Sequence, residues 1–254
     1  AMLASLCTTA LAENVSIPYL DETGTEKFCE KYSDTTGLIW NSGWYVAQGG
    51  GQSPGRIIVT GEVHLILANG CELNAEMGIE VSEGNSLTIY AQSKDESDMG
   101  KLEAYSDEGA AIGGGNGGDG CNITINEGTV KAISTQGAGI GGGIGGDGGK
   151  ITINGGTVEA TSLIGAGIGG GRDGNGGEIT ISDGTVTATS GLDGAGIGGG
   201  VRGDGGEITI TGGMVKAQGN GGADIGGGFD SSNNGIVPSN KIEISGATVT
   251  RPDG

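Results

Sequence analysis

The sequence predicts an all-β fold in which short strands stack as the coils of a parallel β-solenoid. Three observations predict it: a motif that recurs about every 28 residues, apolar and polar residues that alternate inside each repeat, and glycine-rich corners. The chain has 254 residues, of which 60 are glycine and 4 are proline. Glycine does not fall at every third position, which excludes collagen. Periodic glycine of this kind predicts a folded unit and not a linker.

The first 50 residues lie outside the repeat. Residues 1–12 are small and apolar and end in Ala10-Leu11-Ala12, which is typical of the last part of a secretory signal peptide. An ordinary first strand is the alternative. Residues 13–50 contain both tryptophans, and we expect this segment to cap the first exposed strand edge. We assign residues 51–254 to the solenoid.

Two coils that match the repeat less closely precede the regular repeats. We call them the diluted coils. The first has predicted strands at residues 56–59, 63–67 and 71–75. The second has predicted strands at residues 77–81, 87–90 and 101–104, with the acidic loop SKDESDM inserted before its last strand. Each of these segments has the period-two alternation of a strand with one buried face.

The regular repeats have three elements each. The first element begins at Gly109, Gly137, Gly165, Gly194 and Gly222, and NITI-like and TVKA-like elements follow it in step. In the NITI element Ile123 and Ile125 are predicted to point inward and Thr124 outward. Asn-Gly, Asp-Gly and Gly-Gly pairs supply the positive φ angles of tight corners. A single coil cannot bury its apolar side, but stacked coils can. We therefore predict about seven coils of ~28 residues with three short strands each.

No cap resembling the N-terminal one follows Val249. We therefore expect the natural chain to continue beyond Gly254 with further coils or another domain. The sequence contains no stretch of eighteen apolar residues, so it predicts no transmembrane helix.

The cysteines predict neither zinc nor a disulfide framework. They have no C-x-x-C spacing and no nearby histidine, which argues against zinc. We expect Cys71 and Cys121 to pack inside the solenoid. A bridge between Cys7 and Cys29 stays open as an alternative.

Several runs of the sequence resemble a known kind of protein. The runs GEVHLILANGCELNA and GIEVSEGNSLTIYAQS, followed by the GAGIGGG and ITINGGTVEA repeats, are similar to secreted or surface-anchored bacterial proteins of the pectin-lyase-like kind. The resemblance implies a right-handed parallel β-helix, a secreted or cell-surface location and binding of carbohydrate. It covers roughly residues 44–250.

The residues do not predict an enzyme. The resemblance implies that a lyase of this kind would use an arginine or lysine base beside calcium-holding aspartates, and a hydrolase clustered aspartates. The outward columns instead carry Thr124, Thr152, Thr180 and Thr209, and Lys131, Glu159, Thr187 and Lys216. His64, the single histidine, lies on the polar side of its strand with no obvious nucleophile or carboxylate partner, so we expect a solvated strand position. A polysaccharide lyase or glycoside hydrolase stays an alternative, because function must be argued from a site and not from a fold.

One polar column recurs in the glycine corner between the first and second elements. It consists of Asp119, Asp147, Asn175 and Asp204. These side chains suit a corner because they cap turns and tolerate left-handed backbone. They are also oxygen ligands in a glycine-rich setting, and stacked carboxylates about 4.8 Å apart would repel without a cation. Ca²⁺ is therefore a second hypothesis for this column.

The predicted partner is a polysaccharide or other glycan. Sugar rings stack on aromatic faces, and the densest aromatic segment contains Trp40, Trp44 and Tyr45. The alternative is that these rings form the core of the cap. The formal charge of −19 excludes nucleic acid by repulsion and disfavours acidic polysaccharides without bridging calcium. We predict adhesion or carbohydrate binding, with a non-catalytic stalk as the alternative.

Overall fold

A computed structural model describes residues 16–232 and 235–251 of the chain. The predicted signal peptide remnant, with Cys7, lies outside the described residues. The described part is all-β. It therefore contains no helix that could cross a membrane.

The strands are numbered in chain order. The N-terminal segment forms β1 (Ile17–Leu20), β2 (Glu26–Cys29), β3 (Ser33–Asp34), β4 (Ile39–Ala47) and β5 (Gly50–Ser53). The following two coils form β6 (Ile57–Leu67), β7 (Glu72–Ala75), β8 (Ile79–Val81), β9 (Ser86–Ala91) and β10 (Lys101–Ser106). The regular repeats form β11 (Ile112–Gly113), β12 (Asn122–Ile125), β13 (Thr129–Ser134), β14 (Ile140–Gly141), β15 (Lys150–Ile153), β16 (Thr157–Ser162), β17 (Ile168–Gly169), β18 (Glu178–Ile181), β19 (Thr185–Ser190), β20 (Ile197–Gly198), β21 (Glu207–Ile210) and β22 (Met214–Gly219). The described residues end with β23 (Ile225–Gly226), β24 (Phe229–Asp230), β25 (Gly235–Ile236), β26 (Lys241–Ile244) and β27 (Thr248–Thr250).

The coils present three faces. Face A is the sheet β27-β22-β19-β16-β13-β10-β7-β5. Face B contains β8, β11, β14, β17, β20 and β23, and face C contains β9, β12, β15, β18, β21 and β26. The long strand β6 joins these two faces, because its first part pairs with β8 and its second part with β9. Neighbouring coils pair in parallel along all three faces, which confirms the predicted fold class.

The apolar columns align as predicted. Ile123 pairs with Ile151, Ile151 with Ile179, and Ile179 with Ile208, and each of these side chains is at most 1% exposed. Valines and alanines of face A form equivalent buried columns. Burial of these aliphatic side chains is the main stabilising contribution to the stack. In the last described coil, Ile242 and Ile244 are 43% and 46% exposed.

The parallel stack begins before the predicted boundary at residue 51. Strand β4 pairs in parallel with β6 along its length, and β5 pairs with β7, so these strands form one coil ahead of the seven predicted. Trp40 is fully buried and stacks on Tyr45, with ring centroids 5.3 Å apart. These two rings fill the interior of the first coil.

The hairpin formed by β1 and β2 lies on the outside of face C. Its buried residues Ile17 and Cys29 pack against Val46, Ile66 and Tyr90, which point outward from β4, β6 and β9. This small second core fastens the N-terminal segment to the side of the stack.

The three described cysteines are buried and form no disulfide with one another. Cys71 is fully buried and Cys121 is 9% exposed, as predicted. Burial raises the pKa of the Cys29, Cys71 and Cys121 thiols, so these groups stay protonated at neutral pH.

Buried serines at the end of face A supply a matched pair for mutation. The Ser162 hydroxyl donates to the Gly137 carbonyl at 2.7 Å, whereas the equally buried Ser190 hydroxyl has no hydrogen-bond partner among the described residues. Ser162→Ala is expected to lower the free energy of unfolding by about 1 kcal/mol, because a satisfied buried bond is lost. Ser190→Ala is expected to be neutral or stabilising, because an unsatisfied hydroxyl is removed. Urea denaturation checks both, and equal losses would contradict this interpretation.

Candidate functional site

An open groove lies at the corner between faces A and B. Its volume is about 740 Å³, which lies in the range of ligand sites. The groove spans the N-terminal coils: β7, β10 and β13 end at it, and β8 begins beside it. We call it the Tyr105 groove, after the aromatic residue that lines it.

Two outward side chains form the apolar surface of the groove. Tyr105 and Ile133 are register partners on β10 and β13, and both are half-buried. The next two coils place Thr161 and Thr189 in the same column. The Tyr105 hydroxyl donates to Glu103 Oε2 at 2.8 Å, which raises the pKa of Tyr105 and holds its ring in place. The groove therefore offers a fixed aromatic ring beside an aliphatic side chain.

Arg56 forms the inner wall of the groove. Its Nε donates to Glu80 Oε2 at 3.0 Å, and Nη1 donates to the Met77 carbonyl at 2.9 Å and the Ser106 hydroxyl at 3.0 Å. Its Nη2 donates to the carbonyls of Ala110 and Gly114 at 3.1 and 3.3 Å. The guanidinium thus connects residues of successive coils.

These contacts use all five N–H donors of the Arg56 guanidinium. Burial lowers the pKa of Arg56, and the Glu80 carboxylate opposes that shift. An arginine remains protonated in proteins, so the ion pair with Glu80 stays intact near neutral pH. Arg56 is therefore a positioning residue, with no donor left for a ligand.

Carboxylates dominate the charge of the groove. Glu76, Glu80, Asp107 and Glu108 line it against the single guanidinium of Arg56, so its formal charge is −3. Asn116 Nδ2 donates to one oxygen of Glu108 at 2.7 Å, and Ser82 Oγ donates to Glu80 Oε1 at 2.9 Å. Gln52 hydrogen-bonds to Glu76. Asp107 and Glu108 are exposed to solvent.

The aromatic residues predicted to contact a sugar do not form such a surface, and that prediction is corrected here. Trp40 and Tyr45 are buried in the core of the first coil, where no ligand reaches them. Trp44 points outward, but its ring stacks on His64 at 4.5 Å and contacts Tyr19 at 4.7 Å. These neighbours occupy the ring surface that a sugar would need.

His64 belongs to the same outward aromatic cluster. Its ring contacts Trp44, its Nδ1 lies 3.3 Å from the Tyr90 hydroxyl, and its Nε2 lies 3.4 Å from Glu62. Burial lowers the pKa of His64 below its ordinary value, although Glu62 opposes the shift. The neutral imidazole therefore packs in the cluster that fastens the β1–β2 hairpin.

The corner column of Asp119, Asp147, Asn175 and Asp204 forms a hydrogen-bond ladder along the stack. Oδ1 of Asp119 accepts from the Asp147 amide at 2.8 Å, and Oδ1 of Asp147 accepts from the Asn175 amide at 2.8 Å. Asn175 Oδ1 accepts from the Asp204 amide at 3.0 Å. Asp204 Oδ1 accepts from the Gly206 amide at 2.8 Å, within its own coil. Only an oxygen acceptor is needed, which explains why a neutral asparagine occupies one rung.

The ladder accounts for these side chains without a metal ion. In the described part of the chain, no group of three or more His, Cys, Asp or Glu side chains is arranged to hold one. Calcium at this column stays a prediction, and the ladder and the metal predict different results for the same variants.

Asp147→Ala and Asp204→Ala are expected to lower the free energy of unfolding by about 1.5 kcal/mol each, equally in calcium and in chelator. The reason is loss of a hydrogen bond to a backbone amide. Asp147→Asn, which keeps the acceptor oxygen, is the control and is expected to stay close to the parent protein. Thermal denaturation measures all three. A loss confined to calcium-containing buffer, shared by Asp147→Asn, would instead establish a metal site.

Comparison with known families bears on the repeats. A family model described as the beta helix repeat matches residues 123–148, 151–172, 179–201 and 208–229. With the parallel stacking of the three faces, this decides the architecture. The chain is a right-handed parallel β-helix protein. No curated protein and no solved structure matches it.

The matched repeats lie mostly beyond the Tyr105 groove of this β-helix. Arg56, Glu76, Glu80 and Tyr105 precede residue 123, where the first match begins. The groove is therefore a feature of the diluted N-terminal coils and not of the repeat itself. The sequence carries one signal for it: an aromatic and an aliphatic residue stand where the next two coils of the β-helix have threonine.

Proposed function

We propose that this β-helix is a non-catalytic carbohydrate-binding protein of the cell exterior, and that the Tyr105 groove holds the glycan. Adhesion to a polysaccharide is the role that such a site would serve. The signal-like N-terminal residues 1–12 and the resemblance to secreted and surface-anchored proteins support the external location.

One observation carries the proposal: a ligand-sized groove combines a fixed aromatic ring with convergent polar groups. Sugar recognition needs an apolar face for the C–H side of the ring and acceptors for its hydroxyls. Tyr105 and Ile133 supply the first, and the carboxylates of Glu76, Asp107 and Glu108 supply the second.

The same groove disfavours lyase chemistry. A lyase of the kind that the sequence resembles would need an unengaged arginine or lysine as its base. Among the residues that the structure describes, Arg56 is the only cationic side chain that lines the groove, and its five donors are bound within the protein. A binding role needs no such base.

Tyr105→Thr tests the proposal, because it converts the groove to the residue found in later coils and should leave the fold intact. We expect the parent protein to bind defined polysaccharides on a glycan array and the variant to bind about five- to twelvefold more weakly, as loss of an aromatic stacking surface costs on the order of 1–1.5 kcal/mol. Tyr32→Thr, at an exposed tyrosine outside the groove, is the matched control.

Four outcomes are informative. Loss of binding in Tyr105→Thr alone supports the groove. Equal binding by both variants would place the glycan elsewhere and contradict the proposal. Absence of any bound glycan would favour the stalk, whereas release of shortened or unsaturated sugars would favour an enzyme.

A further inference from the structure

We infer that the Tyr105 groove selects a glycan that carries protonated amino groups over its neutral and anionic counterparts. The inference rests on the proposed function and adds the chemical class of the ligand. Its basis is the combination of an aromatic ring with a groove in which the charged side chains open to a ligand are all hydrogen-bond acceptors.

The first step is the charge available to a ligand. The one guanidinium in the groove is fully engaged and paired with Glu80, so it offers neither donor nor net charge. Glu76, Asp107 and Glu108 remain as ionised acceptors. Ionised carboxylates only accept hydrogen bonds, so the complementary ligand must be rich in donors. An ammonium group supplies three donors and the opposite charge.

The second step is the aromatic ring. Tyr105 lies among these carboxylates in the groove, and its hydroxyl is held by Glu103. A cation above an aromatic face is attracted by the ring quadrupole, and the flat sugar ring that carries the cation stacks on the same face. A ligand with both features uses the apolar and the acidic parts of the groove together.

The third step is the choice between an amino glycan and a basic peptide. Peptides commonly bind β-proteins by adding a strand to an open sheet edge. Strand β10 is paired with β7 on one side and with β13 on the other, so the groove offers no such edge. A glycan can bind to the exposed side chains of the groove without pairing with a strand edge. This difference favours a glycan over a peptide as the ligand.

The probes are a linear glucosamine oligomer and its fully N-acetylated counterpart of equal length and linkage. Calorimetric titration at a slightly acidic pH, where the amines are protonated, measures both. We expect the amino oligomer to bind roughly tenfold more tightly at low ionic strength, with the difference shrinking as salt is added. The double variant Asp107→Asn with Glu108→Gln should reduce the preference to about twofold. Glu26→Gln with Glu30→Gln, at exposed acids of the N-terminal hairpin, is the control for net charge.

Each outcome decides a different question. Equal affinity for the two oligomers, or a preference unaffected by salt, would overturn the inference and leave the proposed function in place. Failure of the parent protein to bind any glycan would overturn the proposed function itself. A lysine oligomer of matched charge that binds as tightly as the amino oligomer would overturn the choice of a glycan.

Discussion

Gly171→Ala is expected to lower the free energy of unfolding by about 3 kcal/mol or more. A Cβ at this position would lie 1.8 Å from the carbonyl oxygen of Gly143 and 2.5 Å from its carbonyl carbon. Both atoms belong to the backbone of the preceding coil, which cannot turn aside as a flexible side chain can. The same contact recurs at Gly143, Gly200 and Gly228, so glycine here sets the spacing between coils.

The matched control is Gly50→Ala in β5. Nothing lies within 4 Å of a Cβ added at Gly50. We expect a change within about 0.5 kcal/mol, as for other surface substitutions. Urea denaturation followed by circular dichroism measures both variants. Similar stabilities would mean that glycine in the corners is required only for chain flexibility and that close stacking of the coils is not what it provides.

Replacing Arg56 with leucine is expected to cost about 2–3 kcal/mol of unfolding free energy, less than the roughly 3–5 kcal/mol for a fully buried ion pair, because the Arg56 and Glu80 side chains are 19% and 27% exposed. Glu80 loses its counter-ion, and the carbonyls of Met77 and Ala110 lose their side-chain donor, whereas the Gly114 carbonyl keeps the Ala110 amide as a donor. Arg56→Lys should not restore the free energy of unfolding, because an ammonium group cannot reproduce the five N–H donors of the planar guanidinium.

Lys101→Leu is the control for this prediction. Its ammonium lies 3.7 Å from Glu72, and both side chains are about half exposed, so the pair is expected to contribute less than about 1 kcal/mol. Denaturant unfolding of the two variants gives the comparison. A loss in Arg56→Leu no larger than that in Lys101→Leu would contradict the role of Arg56 as a connection between coils.

The repeats were predictable because every regular coil has the same pattern of apolar and polar residues. Ile151, Ile179 and Ile208 occur at nearly equal intervals with a polar neighbour on each side, and stacking of the coils buries all of them. The coil formed by β4 and β5 was not predicted, because its glycine and aromatic residues do not match the repeat. Its place depends on pairing with β6 and β7, which no local pattern encodes.

The sequence does not predict the orientation of the N-terminal aromatic residues, because strand β4 contains a local irregularity. Strict alternation would place Trp40 and Tyr45, five residues apart, on opposite faces of a strand. The pairing of β4 with β6 shifts register between Asn41 and Gly43, which turns both rings inward and leaves Trp44 outside. Such a bulge has no reliable signature in one sequence.

The sequence does not predict the Tyr105 groove, for a related reason. Arg56 bonds to groups 21 to 58 residues away along the chain, so its role depends on the stacking of three coils. The replacement of threonine by Tyr105 and Ile133 in one outward column was the visible signal. This signal is weak, because the diluted coils differ from the repeat at many other positions as well.

Hydrogen–deuterium exchange with a bound glycan tests most directly whether the Tyr105 groove is the ligand site. With the best-binding oligomer at saturation, we predict slower exchange at residues 76–78, 105–109 and 114–117, which surround the groove. Protection confined to residues 40–45, or spread along face C, would contradict that assignment.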